Sequence, residues 1–502
     1  MKLKTLLLSM ILPACVAVQS MAAEQGCDTL FTPVRETELR LPAVPLLMSD
    51  PFFSVWSACD HLYSGTTTHW RGRKAPKPLV GVARVDGATY RFMGAEEPCF
   101  EQAATQESLD VMPTQTYYSF LCGPVEVKVV FTAPLLMDDL DLLSTPINYI
   151  SYQARSLDKK THDVQIYIET SPWMAVDDIK QPTVSKTVRK NGLTYLQSGT
   201  VNQPYLEKRG DFVCIDWGYV YLAGETRTQA SFCLGDRENV KKSFAEEGRL
   251  PFSHAEIVNR DTLTAPAMAY CEDLGMVDKT GRKGFVMIGY DDIYCIEYMY
   301  QRRQAYWKHD GKVSIFDAFE RARANYESVM RRCREWDRMI WEDAEKVGGT
   351  EYAKILSAAY RQAVAAHKLF KDEKGNILFF SKENASNGSI NTVDVSYPSI
   401  PLFLLYNPEL VKGVTTSIFD YSASGRWNEP FPAHDLGRYP VANEDMHGAG
   451  GMPVEESGNM LIMAAAIAQV EGNAMYAARY WPQLTGWADY LVEHGQDPAD
   501  QL

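Results

Sequence analysis

From about Glu38 to Tyr300 the apolar positions come in short alternating runs broken by Gly, Pro and Asp; beyond Ser314 they recur at helical spacing. "KPLVGVARVDGATYRFMG" predicts two strands about an Asp86-Gly87 turn. "TYYSFLCGPVEVKVVFTAPLL" repeats the theme about Gly123-Pro124, and "INYISYQARS", "HDVQIYIETS", "DFVCIDWGYVYLAG" and "KGFVMIGYDD" continue it. Many short β-branched and aromatic runs predict a sandwich of antiparallel sheets. The character then changes. "SIFDAFERARANYESVMRRCREWDRMIWEDAEKVGG" carries a Ser314/Asp317 cap signal, helical apolar spacing and a Gly-Gly stop. "EYAKILSAAYRQAVAAHKLF" predicts a second helix, "NILFFSKEN" a short extended insert and "ASNGSINTVDVSYP" a loop. Further helices are expected near Pro398–Leu405, Pro408–Ser422, Pro453–Glu471, Ala474–Tyr480 and Pro482–His494. The fold class is therefore a multi-domain β + α chain, an antiparallel β-sandwich followed by an all-α half. The expected divisions are 1–22, 23–37 (a leader), 38–305 (β), 306–348 (linking helix) and 349–502 (helical).

Composition narrows the partners. Apolar residues at 46% and charged residues at 23% belong to a globular chain with real cores. A net charge of −14 without a basic stripe excludes nucleic acid, whose phosphates need a cationic surface. "MKLK", the apolar "TLLLSMILPACVAV" and the small residues Ser20 and Ala22 read as a secretory signal peptide over 1–22. Export to the periplasm or outside follows, with no membrane span after cleavage, since no other apolar run reaches ~18 residues. Cys15 in "LPAC" fits a lipidation signal poorly, because Pro13 precedes it and the apolar run continues past it. The remaining nine cysteines are scattered without a C-x-x-C pair, which does not support a zinc or thioredoxin-type site. Most are expected to be buried small hydrophobes.

Candidate chemistry lies in four polar, aromatic loops. "NGSINTVDVSYP" carries Asp394, Ser396 and Tyr397, and "SGRWNEPFPAHDLGRYP" carries Trp427, Glu429, His434, Asp435 and Tyr439. "NEDMHGAGGMPVEESGNM" carries Glu444, Asp445, His447, Glu455, Glu456 and Asn459, and "DPFFSVWSACDHLYSGTTTHWRGR" carries Trp56, Asp60, His69, Trp70 and Arg71. Each has a plain structural alternative. Pro453 suits the first position of a helix, so Glu455 and Glu456 can be first-turn acids that meet the macrodipole. His434-Asp435 can be a loop hydrogen-bond pair, Asp394 a helix cap, and the tryptophans packing between domains. In the chemical alternative, an Asp394 carboxyl in an apolar setting has a raised pKa and donates a proton. No cofactor is called for. H-E-x-x-H is absent and the histidines lack ligand spacing, so no metal is expected; G-x-S-x-G and phosphate-loop motifs are absent too. "GDRENVKKS" and "GAGG" lack the strand-to-helix context of a dinucleotide site.

"LPAVPLLMSDPFFSVWSACDHLYSGTTTHWRGRKAPKPLVGVARVDGATYRFMG" resembles the start of the glutaminase A family, known from fungi and gut Bacteroidetes. "FFSKENASNGSINTVDVSYPSIPLFLLYNPEL", "FDYSASGRW", "PAHDLGRYPVAN" and "MPVEESGNMLIMAAAIAQVEGN" are similar to its helical domain. The resemblance implies a β-sandwich joined to an (α/α)6 six-hairpin toroid and hydrolysis of glutamine to glutamate and ammonia. It also implies further helices beyond the equivalent of Leu502, so 349–502 is expected to be part of a toroid, which puts activity of this chain alone in question. On this reading Glu455 or Glu456 activates water, Asp394 or His434 (beside Asp435) donates the proton, and Asn459 or Tyr397 polarises the substrate. Trp427, Trp70, Trp56 and Arg71 are the remaining expected substrate contacts. By analogy with glycoside hydrolases of the same architecture, paired carboxylates and aromatic loops equally suit a glycan. A binding protein or an inactive remnant is the third class. The expected partner is a small molecule, glutamine or alternatively a glycan.

Overall fold

A computed structural model describes residues 29–100, 102–260 and 264–498; the expected signal peptide, Cys15 and Cys27 lie outside them. Two antiparallel sheets form the first half. A nine-stranded sheet runs in the order Glu256–Asn259, Thr183–Lys190, Leu193–Thr200, Tyr219–Glu225, Arg282–Asp291, Ile147–Ser156, Val125–Thr132, Gln115–Cys122, Thr105–Val111. A five-stranded sheet runs Ala230–Gly235, Ala267–Val277, His162–Thr170, Leu79–Val85, Ala88–Met93. The expected turn joins Val85 to Ala88 with Asp86 and Gly87 both at positive φ, the conformation a two-residue hairpin requires. The sheets meet face to face. Tyr152 of one and Tyr270 of the other have hydroxyls 2.9 Å apart, and both bond to Glu272, so this buried polar contact is satisfied internally.

The helix Ile315–Ala324 begins with a complete Ser314/Asp317 capping box. The helix Tyr326–Ala365 follows it across the outer face of the large sheet, where Asp337 accepts from the Thr114 backbone N–H and hydroxyl at 2.7 and 2.8 Å. The Gly-Gly stop is a sharp break at Gly349 (φ 79°, ψ −179°). Beyond it Arg361, wholly buried, donates to the carbonyls of Pro45, Met112 and Pro113 and to the Thr116 hydroxyl.

Three local expectations are corrected. His367–Lys371 is a strand paired with Ile377–Ser381, not the end of the preceding helix; its apolar run satisfies either period, and pairing decides. The helix expected near Pro398 starts at Val393, placing Asp394, Ser396 and Tyr397 in its first turns; it tolerates Pro398 and Pro401 at the cost of their missing donors. "GDRENVKKS" does follow a strand and opens a helix, Arg237–Glu247, capped by Asp236, but on an antiparallel sheet.

Four further helices, Pro408–Ser422, Pro453–Glu471, Met475–Arg479 and Trp481–His494, complete the α half among the described residues. The halves are joined by more than one chain crossing. Strand Ile296–Tyr298 pairs in parallel with Val441–Ala442 of the helical half. Lys368, buried, reaches Asp50 at 2.5 Å and Asp292 at 2.6 Å, both from the β half. Cysteines 122, 214, 233, 271, 295 and 333 are free and buried, Cys59 and Cys99 free and partly buried. Among the described residues no helix is long and apolar enough to cross a membrane.

Candidate active site

The site is assembled by the loop His434–His447 and two helix N-termini. Its two aspartates organise the loop backbone. Asp435 accepts from the Gly437 and Met446 N–H groups at 2.7 and 3.2 Å, while Asp445 accepts from those of His434, Asp435, His447 and Gly448. A carboxylate with several such donors is held in one rotamer, and so is the loop around it. The helix Val393–Tyr406 is fixed to this loop by the Val393 N–H bond to the His434 carbonyl, 2.9 Å. The helix Pro453–Glu471 arrives through Gly451, where a Cβ would stand 2.8 Å from the His434 Cβ. Only glycine allows that approach.

His434 is the centre. Its Nδ1 lies 2.9 Å from Asp435 Oδ2, the oxygen that also receives His447 Nδ1 at 2.5 Å. Its Nε2 faces Asp394 Oδ1 at 3.9 Å and Glu456 Oε1 at 3.8 Å. Those two carboxyl oxygens are buried and have no hydrogen-bond partner among the described residues. Glu456 is wholly buried, and Asn459 donates to its other oxygen, Oε2, at 3.3 Å. Burial, with Asp394 adding to it, pushes the Glu456 carboxyl up to about 8 against the opposing pull of His434 and Asn459. Burial opposes protonation of His434, but the Asp435 hydrogen bond and the nearby Glu456, Asp435 and Asp394 carboxyls outweigh it and raise the imidazole to about 9. Burial thus favours the protonated carboxyl at Glu456, and the Asp435 and Asp394 carboxylates favour an imidazolium at His434.

Of the expected residues, the fold brings Asp394, His434, Asp435, Glu456 and Asn459 together. Glu455 faces partly outward on the same helix turn. Tyr397 is exposed, one turn beyond Asp394. Trp427 is half-buried on the rim, its Nε1 donating to the Phe431 carbonyl and its ring 6.3 Å from that of Tyr421, whose hydroxyl accepts from the Asp445 N–H. Trp70 and Arg71 lie instead on the seam between the halves, Arg71 bound to Asp177 at 2.8 Å. Trp56 sits partly buried on the edge hairpin of the β half. Asp445, His447 and Gly451 were not singled out for a role. The signal for Asp445 is a second carboxylate in a loop that must turn back on itself; for Gly451 there is only its neighbour Gly450.

Two groups have metal-ligand geometry, His434/Asp435/His447 and Asp394/His434/Glu456, with ligand atoms in each within 4.8 Å of one another. In the first, both imidazole Nδ1 atoms are already committed to one Asp435 oxygen.

Comparison with known proteins agrees with this architecture. Residues 349–502 match the glutaminase A six helical-hairpin domain, 114–343 and 15–103 two domains of unknown function, DUF5127 and DUF4964. The chain is 30% identical over 504 residues to "Glutaminase A" of Aspergillus oryzae, covering 97% of this chain and 71% of that protein. It is 21% identical to "Probable glutaminase/05536" of Arthroderma benhamiae, covering 84% of this chain and 52% of that one. Among solved structures a GH92-family glycosyl hydrolase, CcMan5, overlaps 93% of this chain and 64% of its own at a TM-score of 0.39 and 10% identity. On the length and identity of the Aspergillus match, the chain belongs to the glutaminase A family.

Proposed function

We propose that this protein is a glutaminase-type amidohydrolase, releasing ammonia from the side-chain amide of glutamine. The observation that carries the reading is the fully buried Glu456 carboxyl, its Oε1 without a hydrogen-bond partner among the described residues, standing beside His434 and Asp394. Amide hydrolysis needs water activation, stabilisation of the oxyanion and a proton for the leaving nitrogen. Asp394, with its side chain 27% exposed, is the one of the three open to water. It takes a proton from water as the oxygen attacks the amide carbon. The His434 N–H at Nε2, held in place by Asp435 at Nδ1, donates to the oxyanion. As that intermediate collapses the C–N bond breaks and Glu456 gives its proton to the departing nitrogen. Asn459 bonds only Oε2, which leaves Oε1 as the hydroxyl oxygen. The proton gained by Asp394 then returns to Glu456, with Nε2 about 4 Å from both as relay.

A retaining glycosidase, with carboxyl groups about 5–5.5 Å apart, fits the spacing as well; an inverting one does not. There the two carboxyl groups stand roughly 6.5–9.5 Å apart to admit a water between them, whereas the facing Asp394 and Glu456 oxygens are within 4.8 Å. The test is ammonia release from glutamine set against reducing-sugar release from a panel of glycans. Ammonia alone is expected; sugar release without ammonia overturns the reading.

A further inference from the structure

The three side chains that carry protons in the amide chemistry have a second capacity. Asp394 Oδ1, His434 Nε2 and Glu456 Oε1 form a triangle with every edge within 4.8 Å, and the two edges at Nε2 are 3.9 and 3.8 Å. Ligands roughly 2.1 Å from a tetrahedral zinc ion stand about 3.4 Å from one another, so closing the triangle onto an ion moves each side chain by less than about half an ångström. The donor set selects the kind of ion. One imidazole nitrogen with two carboxylate oxygens suits a transition metal of the zinc type, whereas calcium and magnesium take oxygen ligands. The ligands come from three separate segments, so no H-E-x-x-H spacing marks them in the sequence.

Two further observations point to an occupant. The Asp394 Oδ1 and Glu456 Oε1 atoms are buried without a hydrogen-bond partner among the described residues, and the wholly buried Glu456 aims its free oxygen at His434. Two carboxyl groups that face each other out of water repel when charged, and a divalent cation between them removes that repulsion. His434 is also held as metal-bound histidines are held. Its Nδ1 lies 2.9 Å from Asp435 Oδ2, which in the neutral ring keeps the proton on Nδ1 and turns the Nε2 lone pair towards the two carboxyls. Asp435 is itself fixed by the Gly437 and Met446 N–H groups, and Asn459 bonds Oε2 of Glu456 while leaving Oε1 free. The positive ends of the two helices oppose a cation only weakly beside two carboxylates. Asp394, its side chain 27% exposed, gives the entry from water and an open side for a fourth ligand.

We propose that Asp394, His434 and Glu456 form a binding site for a divalent transition-metal cation of the zinc type. Binding stands apart from the amidohydrolase reading, and only its effect on turnover rests on that reading. The cation occupies Nε2 and Oε1, the atoms to which the amide chemistry assigns its protons. Metal and proton therefore exclude each other, and zinc inhibits glutamine hydrolysis.

The experiment frees the full chain of metal with a chelator, dialyses the chelator away and titrates the protein with zinc chloride by calorimetry. The wild-type protein and His447→Asn are expected to bind one molar equivalent with affinities within about threefold of each other, and Asp394→Asn and Glu456→Gln to bind about tenfold or more weakly. Melting curves without zinc establish which variants are folded, and one folded carboxylate variant suffices. No binding by the wild-type protein overturns the site. Binding that survives both carboxylate changes overturns it too, as does binding lost in His447→Asn alone, which places the ion in the His434/Asp435/His447 group. Ammonia release along the same titration separates the site from the chemistry. Turnover is expected to be lost at one equivalent and to return with chelator. Turnover that rises with zinc keeps the site and overturns both the inhibition and the role of Glu456 as proton donor. If no ammonia forms under any condition, the amidohydrolase reading fails alone, and the calorimetry still decides the site.

Discussion

At Glu456 the helix N-terminus and burial pull the carboxyl in opposite directions. The macrodipole favours the charged form by at most ~1 kcal/mol at an ordinary first-turn acid. A rise from 4.5 to about 8 corresponds to roughly 5 kcal/mol against it, so burial wins. Glu455, one residue earlier and partly exposed, has the ordinary first-turn placement. The shift has a consequence for stability. A folded-state pKa above the unfolded one means the folded chain holds its proton longer. The associated stability is fully present below pH 4.5 and is lost as pH rises through about 8. His434 acts in the same sense between 6.5 and about 9. Glu456→Gln keeps the shape and removes one titration. Its melting temperature, followed from pH 4.5 to 8.5, is therefore expected to fall less than that of the wild-type protein, with a difference worth a few kcal/mol at the upper end. Parallel curves would contradict the assignment.

Among the elements, the helix–sheet contact at Arg361 shows what holds the halves in register. One guanidinium meets four acceptors from the β half, three of them carbonyls that no water reaches. Burial lowers its pKa to about 10 in spite of the nearby Asp337, which still leaves it charged. Arg361→Met is expected to cost at least ~3 kcal/mol, because it orphans buried acceptors. Arg361→Lys should recover only part, since an ammonium lacks the planar fork. Denaturant unfolding checks both, and a cost below ~1 kcal/mol in the methionine variant would refute the contact's role. The elements also show how far the sequence could be read. Pro408–Ser422 and Pro453–Glu471 were legible to the residue because proline marks the first position and the apolar spacing follows. The start of Val393–Tyr406 was not, because Pro398 suggested a beginning and the preceding Thr392 offers no side-chain cap. His367–Lys371 was read as helix because "AAHKLF" has no break before it. The same limit applied to the site. Asp394, His434, Asp435 and Glu456 were legible as polar residues in loops before apolar runs. Which glutamate turned inward depends on helix phase against a neighbour, and that information is in the packing.

In the whole molecule the site lies where loops from different parts of the α half converge, close to the seam with the β half. Lys368 between Asp50 and Asp292 ties the strand His367–Lys371 to the β half, and the parallel pairing of Ile296–Tyr298 with Val441–Ala442 ties the loop after His434 to it. The β half thereby supports the loop that carries His434 and Asp435. The chain spans 71% of its Aspergillus relative and about half of the Arthroderma one, and the chemistry proposed here draws only on residues within it. Glu456 is the proposed proton donor. Ammonia release from glutamine, measured across pH for the wild-type protein, Glu456→Gln and Glu455→Gln, tests it most directly. Wild-type turnover should fall as pH rises through about 8, Glu456→Gln should lose about 100-fold or more, and Glu455→Gln should stay within about threefold of the wild-type rate. Glutamine hydrolysis undiminished in Glu456→Gln would contradict the account.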